Sequence, residues 1–170
     1  MSKSTIQELR TGDHISWKTK RFPYMIRHHA IVVAAKDGTL FKVIHVRVDS
    51  NGNSSARSKG CSRRFFDLCC TGINESFVVS EDIIDLNEKA SKQKLLRYDY
   101  ALEECKDPFE VIQKAKRKLG KFDFHILNNN CEHFALWCKT GNKVSYQAEL
   151  ARNLLSLLLL SLLLLLISIT

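Results

Sequence analysis

Residues 28–48 read HHAIVVAAKDGTLFKVIHVRV and predict the β-hairpin around which this chain is organised. The first part, 28–35, is a nearly continuous apolar run rich in β-branched residues, which is typical of a buried strand. Asp37-Gly38 follows and is a strong signal for a two-residue hairpin turn. Residues 39–48 then alternate in the manner of a second strand, so we expect two antiparallel strands joined by a tight turn.

The predicted hairpin brings two histidines together. With residues 37–38 in the turn, Ala30 faces His45 across the hairpin, and His28 lies on the same face as Ala30. His28 and His45 are then diagonal neighbours whose side chains are close enough to interact. His29 points to the opposite face. A turn one residue longer or shorter would separate the pair, because side chains alternate between faces at every residue.

Residues 127–141, LNNNCEHFALWCKTG, predict a short helix that begins with a cysteine. Asn130 is a good N-cap residue and Gly141 a good C′ residue, so the helix runs from Cys131 to about residue 139. The N–H groups and the positive dipole end of the first turn favour a negative charge on sulfur. We therefore expect Cys131 at the exposed tip of the helix, with the lowered pKa of a nucleophilic thiol and N–H groups nearby to stabilise an oxyanion.

A nucleophilic Cys131 requires a general base, and the histidine pair supplies a base and a residue that orients it. Two other interpretations stay open: a small buried core residue, or a zinc ligand together with His133 and the histidine pair. The metal site is disfavoured because residues 131 and 133 project about 200° apart on a helix. Cys138 falls in an apolar stripe of the same helix and is expected to be structural. His14 and His125 carry no usable signal.

The other predicted helices and strands are segregated along the chain, which indicates an α+β fold. A helix starts at Pro108, with Asp107 as its N-cap, and ends before Gly120. The remaining assignments are a turn and strand at 11–17, weaker strands at 64–70, 76–80 and 122–127, and a polar loop at 50–60. Residues 81–104 show no assignable pattern.

Residues 154–170, LLSLLLLSLLLLLISIT, carry no charge and predict a membrane-spanning helix. A helix of that length covers roughly 26 Å, near the lower limit for crossing a bilayer. The alternative is a hydrophobic helix buried in the domain or in a partner, but a helix that packs on the core of a small domain shows a polar face, and this segment is leucine or isoleucine all round apart from three serines and a threonine. Because the first residues, MSKSTIQELRTGD, lack an apolar signal segment, we expect no export. The expected arrangement is a catalytic domain over 1–150 that faces the cytosol and a transmembrane anchor over 151–170. The short span favours a thin bilayer such as the endoplasmic reticulum.

The chain is basic, with a formal net charge of +8, and its basic residues form two clusters: Arg57, Lys59, Arg63 and Arg64, and Lys18, Lys20, Arg21 and Arg27. Anionic lipid headgroups attract such residues by about 1 kcal/mol each near a membrane, and the alternative is a solvated face that keeps the protein soluble. No nucleic-acid recognition motif is visible, so we expect no nucleic-acid partner. We expect a monomer whose six cysteines are reduced thiols.

Three stretches resemble the lecithin retinol acyltransferase-like family, which includes the small phospholipase A/acyltransferases once called HRAS-like suppressors. TGDHISW at 11–17 resembles the family's opening Gly-Asp motif, and RHHAIVVA at 27–34 resembles its RHWAIYVG-type strand, with His29 where an aromatic residue is usual. NNNCEHFALWCKTG at 128–141 is similar to its cysteine signature. The order His, His, Cys, followed by a hydrophobic C-terminus, makes the resemblance specific.

The resemblance implies a circularly permuted, papain-like NlpC/P60 core, in which a small antiparallel sheet packs on helices and the cysteine begins one of them. It implies Cys131 as nucleophile, His28 as general base and His45 as third polar residue of a Cys-His-His triad, with no cofactor and no metal. The interval from His28 to His45 is longer than usual for the family. The loop at 50–60 and the basic stretch after it match no family feature, which leaves the choice of substrate open.

The implied activity is that of a phospholipase A1/A2-type hydrolase and acyltransferase acting on glycerophospholipids. A thioester forms on Cys131, and the acyl group passes to water or to an amine or alcohol acceptor. A membrane anchor fits this activity because it raises the effective concentration of lipid. Two alternatives stay open: a permuted papain-like peptidase or isopeptidase, which has no need of an anchor, and a non-catalytic adaptor tethered to a membrane.

Overall fold

A computed structural model describes residues 6–18, 27–49, 76–101 and 103–169. In chain order the elements are a 3₁₀ turn (Ile6–Glu8), β1 (His14–Lys18), β2 (Arg27–Asp37), β3 (Leu40–Val48), β4 (Phe77–Asp85), α1 (Leu86–Gln93), β5 (Leu96–Tyr98), α2 (Pro108–Lys116), β6 (Gly120–Phe122), α3 (Cys131–Thr140) and α4 (Tyr146–Ile169). The described strands form one antiparallel sheet in the order β5-β1-β2-β3-β4-β6. The predicted α+β class, with a small antiparallel sheet and helices, is confirmed.

The central hairpin, β2–β3, turns one residue later than the sequence predicts. Gly38 and Thr39 occupy the turn and Asp37 pairs with Leu40, so the expected turn at Asp37-Gly38 is wrong. Gly38 adopts a φ of 51°, in the left-handed region that glycine enters without steric cost. This conformation explains why glycine takes the first position of the turn.

Two β-bulges nevertheless restore the predicted pairing of the histidines. β2 carries one extra residue between Val32 and Ala34 and another between Ala35 and Asp37. Each bulge shifts the pairing by one residue. Beyond both bulges Ala30 faces His45, which is the pairing predicted from the earlier turn.

Each face of the sheet carries its own apolar cluster. One cluster joins the sheet to α2 and α3 and includes Ile31, Ile44, Val46, Val79, Val111, Phe134 and Ala135. The other lies under α1 and includes Ile15, Trp17, Ala30, Val32, Val43, Leu86 and Leu95. Burying a Val, Leu, Ile or Phe side chain contributes roughly 1.5–3 kcal/mol, so the two clusters hold the helices on opposite faces.

Gly12 fixes the start of the sheet against the helices. Its N–H donates to the carbonyl of Val32 over 2.8 Å, and its φ is 82°. A Cβ at this position would lie 2.8 Å from the Cα of Pro108, so only glycine allows α2 to approach so closely. Its carbonyl accepts a hydrogen bond of 3.1 Å from Lys139 Nζ in α3. The Gly-Asp motif is thus a packing point between β1, β2 and both helices.

The predicted helix at Pro108 is present, and Asp107 caps it by accepting from the Glu110 N–H over 3.0 Å. Its α-helical part ends at Lys116, a few residues earlier than expected. The predicted strand over 122–127 is wrong, because the strand is Gly120–Phe122 and a turn follows it. In that turn the carbonyl of His125 accepts from the N–H groups of 128 and 129, which removes them from any sheet.

The predicted strand at 76–80 is the first part of β4, and 81–104 contains the rest of β4, α1 and β5. The predicted strand at 64–70, the loop at 50–60 and the basic cluster at 57–64 lie outside the described residues. Lys20 and Arg21 of the other basic cluster also lie outside them.

α4 is the one helix in the described part of the chain that is long and apolar enough to cross a membrane. It is 24 residues long and begins at Tyr146, eight residues before the uncharged segment. Residues 149–169 are all exposed, and their large side chains are mostly leucines. An exposed apolar surface on residues 149–169 is compatible with a lipid environment.

Candidate active site

The imidazoles of His28 and His45 are in direct contact. Nε2 of His28 lies 2.8 Å from Nδ1 of His45, and the rings meet edge to face with centroids 5.1 Å apart. Both side chains are buried, and the ring of Trp17 covers His28 at a centroid distance of 4.8 Å. The structure therefore brings together the two histidines that the hairpin pattern singled out.

Asp82 of β4 extends this pair to a third side chain. Its Oδ2 lies 2.8 Å from Nε2 of His45. The same oxygen accepts a 2.7 Å hydrogen bond from Ser80 Oγ and lies 3.3 Å from Nε of Arg47. Asp82 is thus held in place by a hydroxyl and a guanidinium while it contacts His45.

The hydrogen bonds that join His28, His45 and Asp82 determine which ring nitrogen of each histidine carries a proton. An ionised Asp82 can only accept, so His45 carries its proton on Nε2 and its lone pair on Nδ1. That lone pair accepts from His28, whose proton is therefore on Nε2. His28 is left with its lone pair on Nδ1, which is the form a general base requires.

The electrostatics of the site favour this arrangement. Burial lowers the pKa of His28 well below 6.5, and the electrostatic influence of His45 and Lys89 lowers it further, so His28 is neutral near pH 7. The hydrogen bond from His45 lowers the pKa of Asp82 from 3.8 to about 2, although partial burial acts in the opposite direction. Asp82 is therefore ionised throughout the physiological range.

Cys131 begins α3 as predicted, but its side chain is buried, with 4% of its surface exposed. The expectation of an exposed helix tip is wrong, because the sulfur packs into the apolar cluster beneath α3. Sγ lies 3.9 Å from the carbonyl oxygen of Arg27, the residue before His28. The thiol therefore lies beside the first residue of β2, which directly precedes His28.

Strand alternation puts His29, and not His28, on the face of the sheet that α3 covers, together with Ile31. Both ring nitrogens of His29 are engaged, Nδ1 with His14 at 2.8 Å and Nε2 with Gln147 at 2.7 Å. A ring whose two nitrogens are committed to buried partners is a poor proton acceptor. His28, at the strand end, is the better candidate base.

The first turn of α3 is closed by a reciprocal cap. Asn130 Oδ1 accepts from the N–H groups of Glu132 and His133 at 2.9 and 3.1 Å, and Nδ1 of His133 accepts from the Asn130 N–H at 3.2 Å. The prediction that Asn130 caps the helix is confirmed. The cap occupies the N–H groups of Glu132 and His133, so these donors are not directed at the sulfur, contrary to expectation.

Glu132, directly after the cysteine, is buried and accepts hydrogen bonds from the start of α4. Its Oε2 receives a 2.5 Å bond from Ser145 Oγ and a 3.0 Å bond from the Gln147 N–H. Ser145 also caps α4, because its Oγ accepts from the Ala148 N–H at 3.1 Å. α3, the helix that begins with Cys131, and α4, the apolar helix, are therefore joined by hydrogen bonds to the residue next to Cys131.

The zinc interpretation finds no support among the described residues, where no group of three His, Cys, Asp or Glu side chains is placed to hold a metal ion. His133 serves in the helix cap instead. Cys138 lies in the core, where burial raises the pKa of its thiol to about 12, as expected of a structural cysteine.

Sequence reasoning missed Asp82, Gln147 and the histidine pair His14–His29. Asp82 falls in a segment without a recognisable period, and its partner His45 lies 37 residues earlier. Gln147 precedes the apolar segment and belongs to no helix or strand that the sequence predicts. The signal in the sequence for Asp82 was weak: Ser80 and Asp82 are two residues apart, so on a strand their side chains share a face.

The comparisons with known proteins agree with one another. A family model described as lecithin retinol acyltransferase matches residues 7–144, a range that includes His28, His45, Asp82 and Cys131. The lecithin retinol acyltransferase of Rattus norvegicus is 35% identical over 77 residues, which is 44% of this chain and 29% of that protein. Those of Mus musculus and Bos taurus are each 45% identical over 40 residues, 24% of this chain and 17% of theirs. The chain therefore covers less than a third of the length of these relatives.

Proposed function

Because this chain belongs to the lecithin retinol acyltransferase family, we propose that it transfers acyl groups of lipids by way of a thioester on Cys131. In this proposal Cys131 is the nucleophile, His28 is the general base, and His45 and Asp82 orient the base. One observation carries the proposal. His28 donates to His45 and His45 donates to Asp82, which puts the lone pair of His28 on Nδ1, at the end of β2 that the Cys131 sulfur contacts.

The first half of the reaction acylates the enzyme. The thiol proton of Cys131 moves to Nδ1 of His28, and the thiolate attacks the ester carbonyl of a glycerophospholipid. The tetrahedral intermediate collapses, its C–O bond breaks, and His28 returns the proton to the departing lysophospholipid. The positive end of the α3 dipole stabilises negative charge at the sulfur.

The second half releases the acyl group. Water, an amine or an alcohol gives its proton to His28 as it attacks the thioester carbonyl. The C–S bond then breaks, and His28 reprotonates the departing sulfur. Water as the acceptor yields a fatty acid, which is phospholipase A-type hydrolysis, whereas an amine or alcohol yields an acylated product.

The position of α4 supports a lipid substrate. Ser145 and Gln147, at its start, bind Glu132, the neighbour of Cys131. At 1.5 Å per residue, the uncharged segment from Leu154 begins roughly 10 Å along the helix from Gln147. If α4 crosses a bilayer, the thiol stands close to the headgroup layer, where phospholipid esters are found.

We propose further that the core is a circularly permuted papain-like domain of the NlpC/P60 type. The order supports this, since the histidine strands β2 and β3 precede the cysteine helix α3 in the chain. We also propose that α4 is a tail anchor and that the catalytic domain faces the cytosol, on a membrane such as the endoplasmic reticulum.

The decisive experiment uses the full chain reconstituted in vesicles with labelled phosphatidylcholine, with and without an amine acceptor. Intact-protein mass spectrometry should detect an acyl adduct on the wild type and none on Cys131→Ala. Product analysis separates fatty acid from acylated amine. Cys138→Ala is the matched control, because it removes a buried thiol from the same helix and should retain the adduct.

An acyl adduct on Cys131→Ala would refute the assignment of the nucleophile. Turnover of ubiquitin-like conjugates in place of phospholipid would favour the peptidase alternative. A wild-type chain that forms no adduct, and whose Cys131 is inert to a mild electrophile near neutral pH, would favour a non-catalytic adaptor.

A further inference from the structure

We propose that Gln147, in the first turn of α4, is a positioning residue that holds the histidine strand β2 and the thiol helix α3 in register with each other. This inference rests on the acyl transfer proposed above. Gln147 lies outside the region 7–144 that the family model matches. It touches no reacting atom, and acts through the residues on either side of the site.

The side-chain amide of Gln147 bridges Arg27, whose carbonyl contacts the sulfur, and Glu132, the residue after Cys131. Its Oε1 accepts a 2.6 Å hydrogen bond from the N–H of Arg27, whose carbonyl contacts Cys131 Sγ. Its Nε2 lies 3.2 Å from Oε2 of Glu132, the residue after Cys131. One amide therefore ties the beginning of β2 to the beginning of α3.

The orientation of this amide is determined by its partners. The Arg27 N–H can only donate, so the atom facing it must be the amide oxygen. The two protons on Nε2 are then directed at Glu132 and at Nε2 of His29, 2.7 Å away. Every polar atom of the Gln147 side chain is thereby committed to the site.

The same orientation fixes the tautomers of two buried histidines. Nε2 of His29 accepts from Gln147, so its proton is on Nδ1 and donates to Nε2 of His14 over 2.8 Å. His14 must then carry its proton on Nδ1, which donates to the Tyr100 hydroxyl over 2.5 Å. Hydrogen bonds thus run in one direction from Gln147 through His29 and His14 to Tyr100.

Burial keeps the rings of His14 and His29 neutral, as this series of hydrogen bonds requires. Desolvation lowers the pKa of His14 to about 3, and charge on Lys139 contributes. Burial also lowers the pKa of His29 well below 6.5, with further contributions from His14, His28 and Arg27. A neutral imidazole donates at one nitrogen and accepts at the other, so two neutral rings pass the orientation of Gln147 along.

Gln147 belongs to α4. The position of α4 on the domain therefore affects the distance between β2 and α3 at the site. Loss of the amide would remove this hydrogen-bonded link between the Arg27 end of β2 and α3. His28 follows Arg27 directly, so the distance between its ring and the sulfur would no longer be fixed. A displacement of 1 Å at reacting groups lowers rates by about 100-fold.

The test compares the full chain in detergent micelles with Gln147→Met, which keeps length but removes the hydrogen bonds, and with Glu149→Gln as control. Glu149 is exposed on the same turn of α4. Gln147→Met should lower kcat of acyl transfer by about 100-fold with KM unchanged, as expected for lost positioning. The midpoint of the pH profile for Cys131 alkylation, followed by peptide mass spectrometry, should rise. Glu149→Gln should change neither quantity.

The ¹⁵N shifts of the imidazoles supply a readout that a purely structural role would not move. In the wild type both His14 and His29 should be the Nδ1–H tautomer, and in Gln147→Glu, which cannot donate, His29 should change to Nε2–H. A wild-type His29 protonated on Nε2 would overturn the inference, as would an unchanged alkylation midpoint in Gln147→Met. Neither readout needs lipid turnover, so a failure of the proposed function would be recognised separately.

Discussion

At the scale of single residues, Asp82 determines which ring nitrogen of His28 carries its proton and which carries its lone pair. The carboxylate can only accept, so each of the two imidazoles is held in one tautomer. Ser80 and Arg47 in turn hold Asp82. A Cys-His-His motif read from sequence is therefore incomplete, because the state of the first histidine depends on a fourth side chain.

Replacing Asp82 by Asn should abolish most activity while it preserves the fold. An amide at position 82 can donate to Nε2 of His45, which reverses both hydrogen bonds and puts the proton of His28 on Nδ1. We expect kcat/KM to fall by about 100-fold or more, in line with the tautomer effect at catalytic triads. Steady-state acyl transfer in vesicles measures it.

Ser80→Ala is the matched control for this substitution. It removes one hydrogen bond to Asp82 and leaves the carboxylate in contact with His45, so we expect a loss of less than about tenfold. Wild-type kinetics in Asp82→Asn, with an unchanged melting temperature, would contradict the proposed role of Asp82.

At the scale of elements, the hairpin positions the site through two irregularities and not through ideal pairing. The bulges at Val33 and Lys36 absorb two residues of β2, and the turn at Gly38-Thr39 compensates for them. The sequence predicted the correct partner of His45 from the wrong turn, because these two differences cancel. Bulges are invisible to a period-two pattern, since an inserted residue can be apolar like its neighbours.

Deletions in the hairpin should distinguish bulge residues from paired ones. Removing Lys36, an extra residue of β2, should leave the register at His45 unchanged, so the acyl adduct should still form. Removing Lys42, which pairs with Ala34 and Ile83, shifts residues 43–48 by one position and turns His45 to the opposite face. The adduct should then be lost, as intact-protein mass spectrometry will detect.

The two deletions are matched, since each removes one lysine from the same hairpin. Equal loss of the adduct in both variants would show that the bulge at Lys36 is not dispensable. Equal retention would show that the register of β3 does not position His45.

At the scale of the whole molecule, buried histidines link stability to pH. The rings of His14, His28 and His29 lie in the interior, and burial lowers the pKa of each below the 6.5 of an exposed histidine. Between that value and the folded-state pKa, the unfolded chain binds more protons than the folded chain. Stability must therefore fall as the pH falls below about 6.5.

Unfolding of the full chain in detergent micelles, followed at several pH values, should reveal this loss. Each histidine contributes a slope of about 1.4 kcal/mol per pH unit, so three contribute at most about 4 kcal/mol per pH unit. His29→Phe removes one of these histidines and should reduce the slope by about 1.4 kcal/mol per pH unit. Stability that stays constant between pH 7 and pH 5 would contradict the buried neutral state. Asp82 acts in a lower window: its depressed pKa adds stability above 3.8, which is lost as the pH falls toward about 2.

The sequence by itself determined the elements whose causes are local. The apolar run of the hairpin, the caps Asp107 and Asn130, and the uncharged segment of α4 each depend on neighbours within a few residues. The class of the fold, the pairing of His28 with His45 and the place of Cys131 at a helix start followed from these signals.

Tertiary structure alone decided the burial of Cys131 and the contacts of Asp82 and Gln147. His45 and Asp82 are 37 residues apart, and Arg27 and Gln147 are 120 apart, so no local period connects them. These contacts exist only once β4 pairs with β3 and α4 starts beside α3. Hydrogen bonds between buried groups depend on distance in space and leave no periodic trace along the chain.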